Sequence, residues 1–220
     1  MKNLLLTAVL GCAAITASAE SPRWLRNVAI SPDGATVAFT YKGDIFTVPV
    51  KGGKATQLTS NPAYDTAPIW SPDGSKIIFS SNREGSMDIF SINASGGTPV
   101  RLTTNSGSET PIAFLNDHEI LFSTSGMPSR ESARAPFLNQ TWKLDISEPG
   151  LRPQLFLSLP MGAASVSESG KVLYQDKKGF ENIWRKHERS SGTSDIWLYD
   201  NGRFTQLTKF NGHDLNPVWK

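Results

Sequence analysis

The sequence predicts an all-β protein: a β-propeller of about four four-stranded blades plus the first strand of a fifth, an incomplete ring. Three observations predict it. The tetrapeptide Ser-Pro-Asp-Gly stands at 31–34 and again at 71–74, and its surroundings repeat with it. A repeat near forty residues made of short strand signals is the mark of a propeller. Apolar triplets recur once per repeat: Val37-Ala38-Phe39, Ile77-Ile78-Phe79, Ile120-Leu121-Phe122 and Val172-Leu173-Tyr174. Unbroken apolar runs, in place of alternation, mean strands buried on both faces, as stacked blades require. Finally, nearly all length variation falls in a single connection, as in a rigid repeat that accepts insertions on one face.

Each repeat carries four strand positions, a to d. Position a ends in a large apolar residue: Ile30, Trp70, Phe114, Val166 and finally Trp219. The turn into b is set by Pro32 and Pro72, with Gly34 and Gly74 taking the left-handed conformation. Position b is the apolar triplet. Position c reads Asp44-Ile45-Phe46, Asp88-Ile89-Phe90, Thr141-Trp142-Lys143 and Asp195-Ile196-Trp197. Glycine-rich turns such as Lys51-Gly52-Gly53-Lys54 and Asp200-Asn201-Gly202-Arg203 follow. Position d closes with Gln57-Leu58-Thr59, Arg101-Leu102-Thr103, Gln154-Leu155 and Gln206-Leu207-Thr208. From c to the leucine of d, and from there to the end of the next a, the spacing is nearly constant. From b to c it grows from 5 residues in the first repeat to 21 in the fourth. The expected blades are 24–60, 61–104, 105–158 and 159–209, with the start of a fifth at 210–220. Asn216-Pro217-Val218-Trp219 matches Ala67-Pro68-Ile69-Trp70, the lead-in to another Ser-Pro-Asp-Gly turn, so the expected protein continues beyond Lys220.

Residues 1–19 read as a secretory signal peptide. Lys2 starts it, Leu4 to Ile15 is mostly apolar, and Ala17-Ser18-Ala19 is an A-x-A cleavage site. The reading is therefore an exported protein, periplasmic or secreted, with residues 20–220 a partial propeller. The alternative is a lipoprotein anchored at Cys12, after Val9-Leu10-Gly11. The mature chain of about 200 residues is long enough to bury about 70% of its unfolded surface. Cys12 is the only cysteine, so the mature chain rests on its core without disulfides. The formal net charge of +2 marks neither a nucleic-acid-binding nor a membrane-surface protein, and no segment of the mature chain is long and apolar enough to span a bilayer.

The sequence contains no G-x-S-x-G elbow, H-E-x-x-H helix, paired cysteines, phosphate loop or dinucleotide fingerprint. No catalytic, cofactor-binding or metal-ligating residue is assigned, and no cofactor is called for. His118, His187 and His213 share no ligand spacing and read as surface residues. Asp33, Asp73, Asp44, Asp88 and Asp195 repeat with the fold, so turn and strand-edge hydrogen bonding explains them. Trp24 and Trp184 fall outside the repeat positions, unlike Trp70, Trp142, Trp197 and Trp219. The unusual segments are the long b–c loops of blades three and four. The first holds Arg130 and Arg134. The second holds Lys177, Lys178, Phe180, Trp184, Arg185, Lys186, His187 and Arg189. They read either as solvated insertions or as a docking surface or gate on one propeller face.

The Ser-Pro-Asp-Gly turns, Asp-Ile-Phe/Trp strands and Gly-Gly…Gln-Leu-Thr endings resemble the TolB-type propeller repeat over roughly residues 24–220. The Gly-His and Trp-Asp pairs of the WD-type repeat are missing. The opening Trp24-Leu25-Arg26-Asn27-Val28-Ala29-Ile30-Ser31-Pro32-Asp33-Gly34, then Tyr41-Lys42-Gly43-Asp44, Asn61-Pro62-Ala63-Tyr64-Asp65 and Met127-Pro128-Ser129-Arg130-Glu131-Ser132-Ala133-Arg134, resemble exported tricorn-like serine peptidases. That resemblance implies a non-catalytic N-terminal propeller that guides or filters peptide substrates and scaffolds assembly. The implied partners are C-terminal PDZ and peptidase domains of the same protein, peptide or unfolded-protein substrates, and further copies in a homo-oligomer. The family's catalytic residues lie in its C-terminal core, and none is carried onto this chain. Two alternatives stay open: a TolB-like protein-binding propeller without enzymatic activity, and the propeller of a dipeptidyl-peptidase-IV-like enzyme.

Overall fold

The computed structural model describes residues 24–125, 139–177 and 192–219, and every regular element among them is a β-strand. Blade one comprises β1 (Arg26–Ile30), β2 (Thr36–Tyr41), β3 (Asp44–Pro49) and β4 (Thr56–Gln57). Blade two comprises β5 (Asp65–Trp70), β6 (Lys76–Glu84), β7 (Ser86–Asn93) and β8 (Val100–Arg101). Blade three comprises β9 (Glu109–Phe114), β10 (Glu119–Thr124), β11 (Gln140–Asp145) and β12 (Gln154–Leu157). Blade four comprises β13 (Met161–Val166), β14 (Val172–Asp176), β15 (Ile196–Asp200) and β16 (Arg203–Gln206). Each blade is an antiparallel meander in chain order. The first strands β1, β5, β9 and β13 pack successively on one another, placing the blades in order around a propeller axis.

Local chemistry explains the turns between the first and second strands. In blade two, Ser71 Oγ accepts from the Lys76 amide at 2.9 Å and donates to Asp73 Oδ1 at 2.6 Å, while Asp73 accepts from the Ser75 amide at 3.0 Å. Ser31 and Asp33 make the same contacts in blade one. Gly34 and Gly74 stand at φ 69° and 70°, where a side chain would be strained. Blade four reaches the same geometry with Ser167 and Gly170. Blade three has Leu115 at the serine position, and the neighbouring Asn116 Oδ1 accepts from the His118 and Glu119 amides.

The apolar triplets divide their side chains between the two sides of a blade. The middle residue faces the following blade and the outer two face the preceding one. Ala38 packs with Ile77 and Phe79, Ile78 with Ile120 and Phe122, and Leu121 with Val172 and Tyr174. In blades two and three all triplet residues are fully buried. Val37 and Leu173, on the outward sides of blades one and four, remain half-exposed. Each buried aliphatic side chain contributes roughly 1.5–3 kcal/mol, so the seams between blades are where the core lies.

The first strand of every blade also carries a register shift, at Arg26/Ala29, Thr66/Ile69, Ile112 opposite Leu121/Phe122, and Met161/Ala164. Asn27 and Ala67, three residues before the strand end, have φ of 50° and 53°. These bulges, with Pro68 and Pro111, blunt an edge that would otherwise pair with another chain.

Residues 214–219 form no strand, since no ladder partner lies beside them among the described residues. They nevertheless repeat the first-strand geometry. Trp219 Nε1 donates to Ser165 O at 2.9 Å, as Trp70 Nε1 donates to Ala29 O at 3.1 Å. The Asp214 amide donates to Ser194 O as the Asp65 amide does to Gly43 O, and Asn216 has φ 55°.

The seam rule makes a quantitative prediction. Ile78→Ala empties a position closed on all sides and is expected to cost about 3 kcal/mol. Leu173→Ala is expected to cost less than half as much, because its cavity opens to solvent. Urea unfolding of the two variants measures both.

Candidate functional site

One face of the propeller gathers the starts of the first strands, the b–c connections and the ends of the fourth strands. Its repeating elements are explained by closure of each blade. Asp44 Oδ2 accepts from Gln57 Nε2 at 2.9 Å, Asp88 Oδ2 from Arg101 Nη2 at 2.6 Å, and Asp195 Oδ2 from Gln206 Nε2 at 3.0 Å. The amides of Ile45, Ile89 and Ile196 donate to the hydroxyls of Thr59, Thr103 and Thr208 at 2.9, 2.8 and 2.9 Å. These bonds tie the third strand to the fourth. Blade three has Thr141 and Phe156 at the matching positions and lacks them. The repeated aspartates of the third strands are thus structural, as the sequence reading expects.

A second set of acids was not read from the sequence. Asp65, Glu109 and Asp214 each stand five residues before the large apolar residue that closes a first-strand position, Trp70, Phe114 and Trp219. They enter the seam beside the aspartate of the preceding blade. Asp65 is fully buried and takes both bonds from Arg83 Nη2, at 3.0 and 2.9 Å. The Arg83 guanidinium lies 5.5 and 4.8 Å from the ring centres of Phe79 and Phe90, and Arg83 Nε donates to Ser81 Oγ. Asp44 beside this pair is half-buried. Burial first, and then the charge of Asp65, raise its pKa against the opposing Thr59 hydrogen bond.

In the next seam Asp88 and Glu109 are both fully buried. Burial pushes Glu109 up to about 7, and the Asp88 charge adds to it, while the Thr103 hydrogen bond and Arg101 oppose. At the third seam, Asp214 Oδ2 and His213 Nε2 are buried with no hydrogen-bond partner among the described residues. His213 Nδ1 accepts from the Ser194 amide at 3.1 Å, so His213 is a half-buried seam residue where the sequence reading has a surface one.

Of the loop residues singled out, Lys177 is described: it is exposed, and its Cε would stand 3.4 Å from a Cβ added to Gly162 in β13. Arg130, Arg134, Lys178, Phe180, Trp184, Arg185, Lys186, His187 and Arg189 lie outside the described residues. The ends of both loops, Ser125 and Asn139 and then Lys177 and Gly192, are at the face just described. His118 is exposed in its turn, and Trp24 is exposed with the Arg26 guanidinium 5.7 Å from its ring. Among the described residues no group of three or more His, Cys, Asp or Glu could hold a metal ion, and no helix is long and apolar enough to cross a membrane. On the opposite face a groove of about 550 Å³ between blades one and two is lined by Asp33, Thr47, Trp70 and Asp73. Hydrogen bonds from Ser71 and Ser75 hold Asp73 down at about 2.

Successive four-stranded meanders, stacked through both faces of their second strands, with Ser-Pro-Asp-Gly turns between the first and second strands of blades one and two, define a TolB-type β-propeller. Residues 22–220 match the family described as the tricorn protease N-terminal beta propeller domain, and the chain belongs to that family. It is 28% identical over 195 residues to tricorn protease homolog 1 of Streptomyces coelicolor, covering 86% of this chain and 17% of that protein. It is 30% identical over 108 residues to dipeptidyl-peptidase 5 of Porphyromonas gingivalis, covering 39% of this chain and 16% of that one. The chain thus spans about a sixth of these relatives. Among solved structures, the tricorn protease aligns with a TM-score of 0.68 at 19% identity, over 88% of this chain and 19% of that one. TolB from Acinetobacter baumannii aligns at 0.66 and 20%, over 88% and 45%. These two likenesses bear on the fold alone.

Arg83 is expected to be the most sensitive polar residue of this face. Arg83→Met leaves Asp65 as an unpaired buried charge and should cost about 3–5 kcal/mol. In an Asp65→Asn background the same change should cost about 1 kcal/mol. Denaturant unfolding of the double-mutant cycle checks both values.

Proposed function

We propose that this chain is the non-catalytic propeller of an exported tricorn-like serine peptidase, where it guides or filters peptide or unfolded-protein substrates and supports assembly. The observation that carries the reading is the family match, which runs from residue 22 to residue 220. Because the chain corresponds to 17% of the length of its Streptomyces relative, the reading assigns proteolysis to other parts of a larger protein. The described ends of the b–c loops of blades three and four lie at one face, and the reading gives those loops the role of its docking or gating surface. A TolB-like binding propeller is the second reading, since the repeat itself, with its Ser-Pro-Asp-Gly turns, resembles the TolB type.

Two experiments test the proposal. In the full-length protein, hydrolysis of a short peptide and of an unfolded protein is compared before and after deletion of 178–192. An altered ratio of kcat/KM between the two substrates is expected, whereas an unchanged ratio and unchanged assembly would remove the loop from the proposed role. A full-length protein without any peptidase activity would favour the binding-propeller reading. For export, mass analysis of the mature chain should show Glu20 as its first residue; an intact Met1 or a lipidated Cys12 would contradict cleavage after Ala19.

A further inference from the structure

The seam between blades two and three holds two fully buried carboxylates and one cation. Asp88 in β7 takes Arg101 Nη2 at 2.6 Å, and Arg101 Nε is spent on Thr103 O at 2.8 Å. Glu109 in β9 has no basic side chain of its own. Its Oε2 meets Thr103 Oγ1, while its Oε1 is buried with no partner among the described residues. The preceding seam shows the contrast: there Arg83 serves the fully buried Asp65, and Asp44 reaches solvent. Two negative charges in a buried junction with, among the described residues, a single committed guanidinium are not balanced, and a buried carboxylate without a partner cation takes up a proton instead.

Among the described residues the surrounding elements supply no other compensation. β5 contributes Asp65, already paired with Arg83 of β6. The other charged residues of β6, Lys76 and Glu84, are at exposed positions. β10 contributes Glu119, paired with Lys143 of β11 at 2.7 Å. β13 has no charged residue.

We propose that the seam between blades two and three is a proton-controlled latch, closed while Glu109 carries a proton and loosened when Glu109 releases it to solvent. The neutral acid sits beside Asp88 without repulsion. The carboxylate sets a second buried charge against Asp88 across the junction, where Ser80 Oγ also holds Glu109 O at 2.7 Å. Burial raises Glu109 from 4.5 to about 7, which fixes the sign. Between these values the unfolded chain has released the proton and the folded chain retains it, so stability falls as pH rises and levels off above about 7.

The test is the thermal midpoint of the full chain against pH, for the natural protein and for Glu109→Gln. A falling midpoint is expected in the natural protein. In the Gln variant the fall should be absent, and at about pH 8 its midpoint should be higher by roughly 5–10 °C. Exchange of the Ile89 amide, which donates to Thr103 Oγ1, should accelerate beyond the chemical rate above neutral pH in the natural protein alone. Identical pH profiles for the two proteins would overturn the latch. Should Glu109→Gln fail to fold, the carboxyl carbon resonance of Glu109 in the natural protein decides: titration near neutrality supports the proposal, and titration below about pH 5 overturns it.

Discussion

No blade of this protein can bury its own second strand. The triplets point side chains to both sides of the sheet, so each blade needs a neighbour on either side to remove them from water. Ile78 is covered by Ile120 and Phe122, and Leu121 by Val172 and Tyr174. The hydrophobic core is therefore a series of layers between blades, each built from one residue of one blade and two of the next. Stability in such an array is a sum of unit and nearest-neighbour terms. The polar groups of the seams are buried by the same stacking.

The polar contents of the seams follow from that geometry. A first strand enters beside the start of the preceding blade's third strand, so its leading acid meets an aspartate that already closes its own blade. Each junction resolves the encounter differently. At Asp65 an arginine from the same blade neutralises the buried acid and rests on two phenylalanine rings. At Glu109 no second cation lies among the described residues, and in the proposed latch a proton takes its place. The same fold position thus carries different electrostatics from blade to blade, and this separates one repeat unit from another in a chain whose backbone scarcely changes.

Much of the fold was legible because turns and triplets recur at fixed spacing. Ser31 and Ser71 bond their turns in the same way, and blade four repeats the pattern with Ser167 and Gly170 despite sharing neither proline nor aspartate. The aspartates of the third strands were legible as structural because Gln57, Arg101 and Gln206 repeat with them. The seam acids are harder to read because the acid itself changes between Asp65, Glu109 and Asp214, and blade four has Met161 at the same position. Their common distance from Trp70, Phe114 and Trp219 was the available signal. Arg83 has no counterpart at a repeat position, so only the folded arrangement reveals its partner. His213 was misread for a similar reason: its ring fills space that exists only once Ser194 of blade four is in place.

The most direct measurement is residue-level hydrogen exchange along the four second strands of residues 20–220 prepared alone. If seams carry the stability, amides of β6 and β10, covered on both sides, should exchange slowest, and those of β2 and β14 should open first. Equal protection in all four strands, or greatest protection in β2 or β14, would contradict the dependence of each blade on its neighbours.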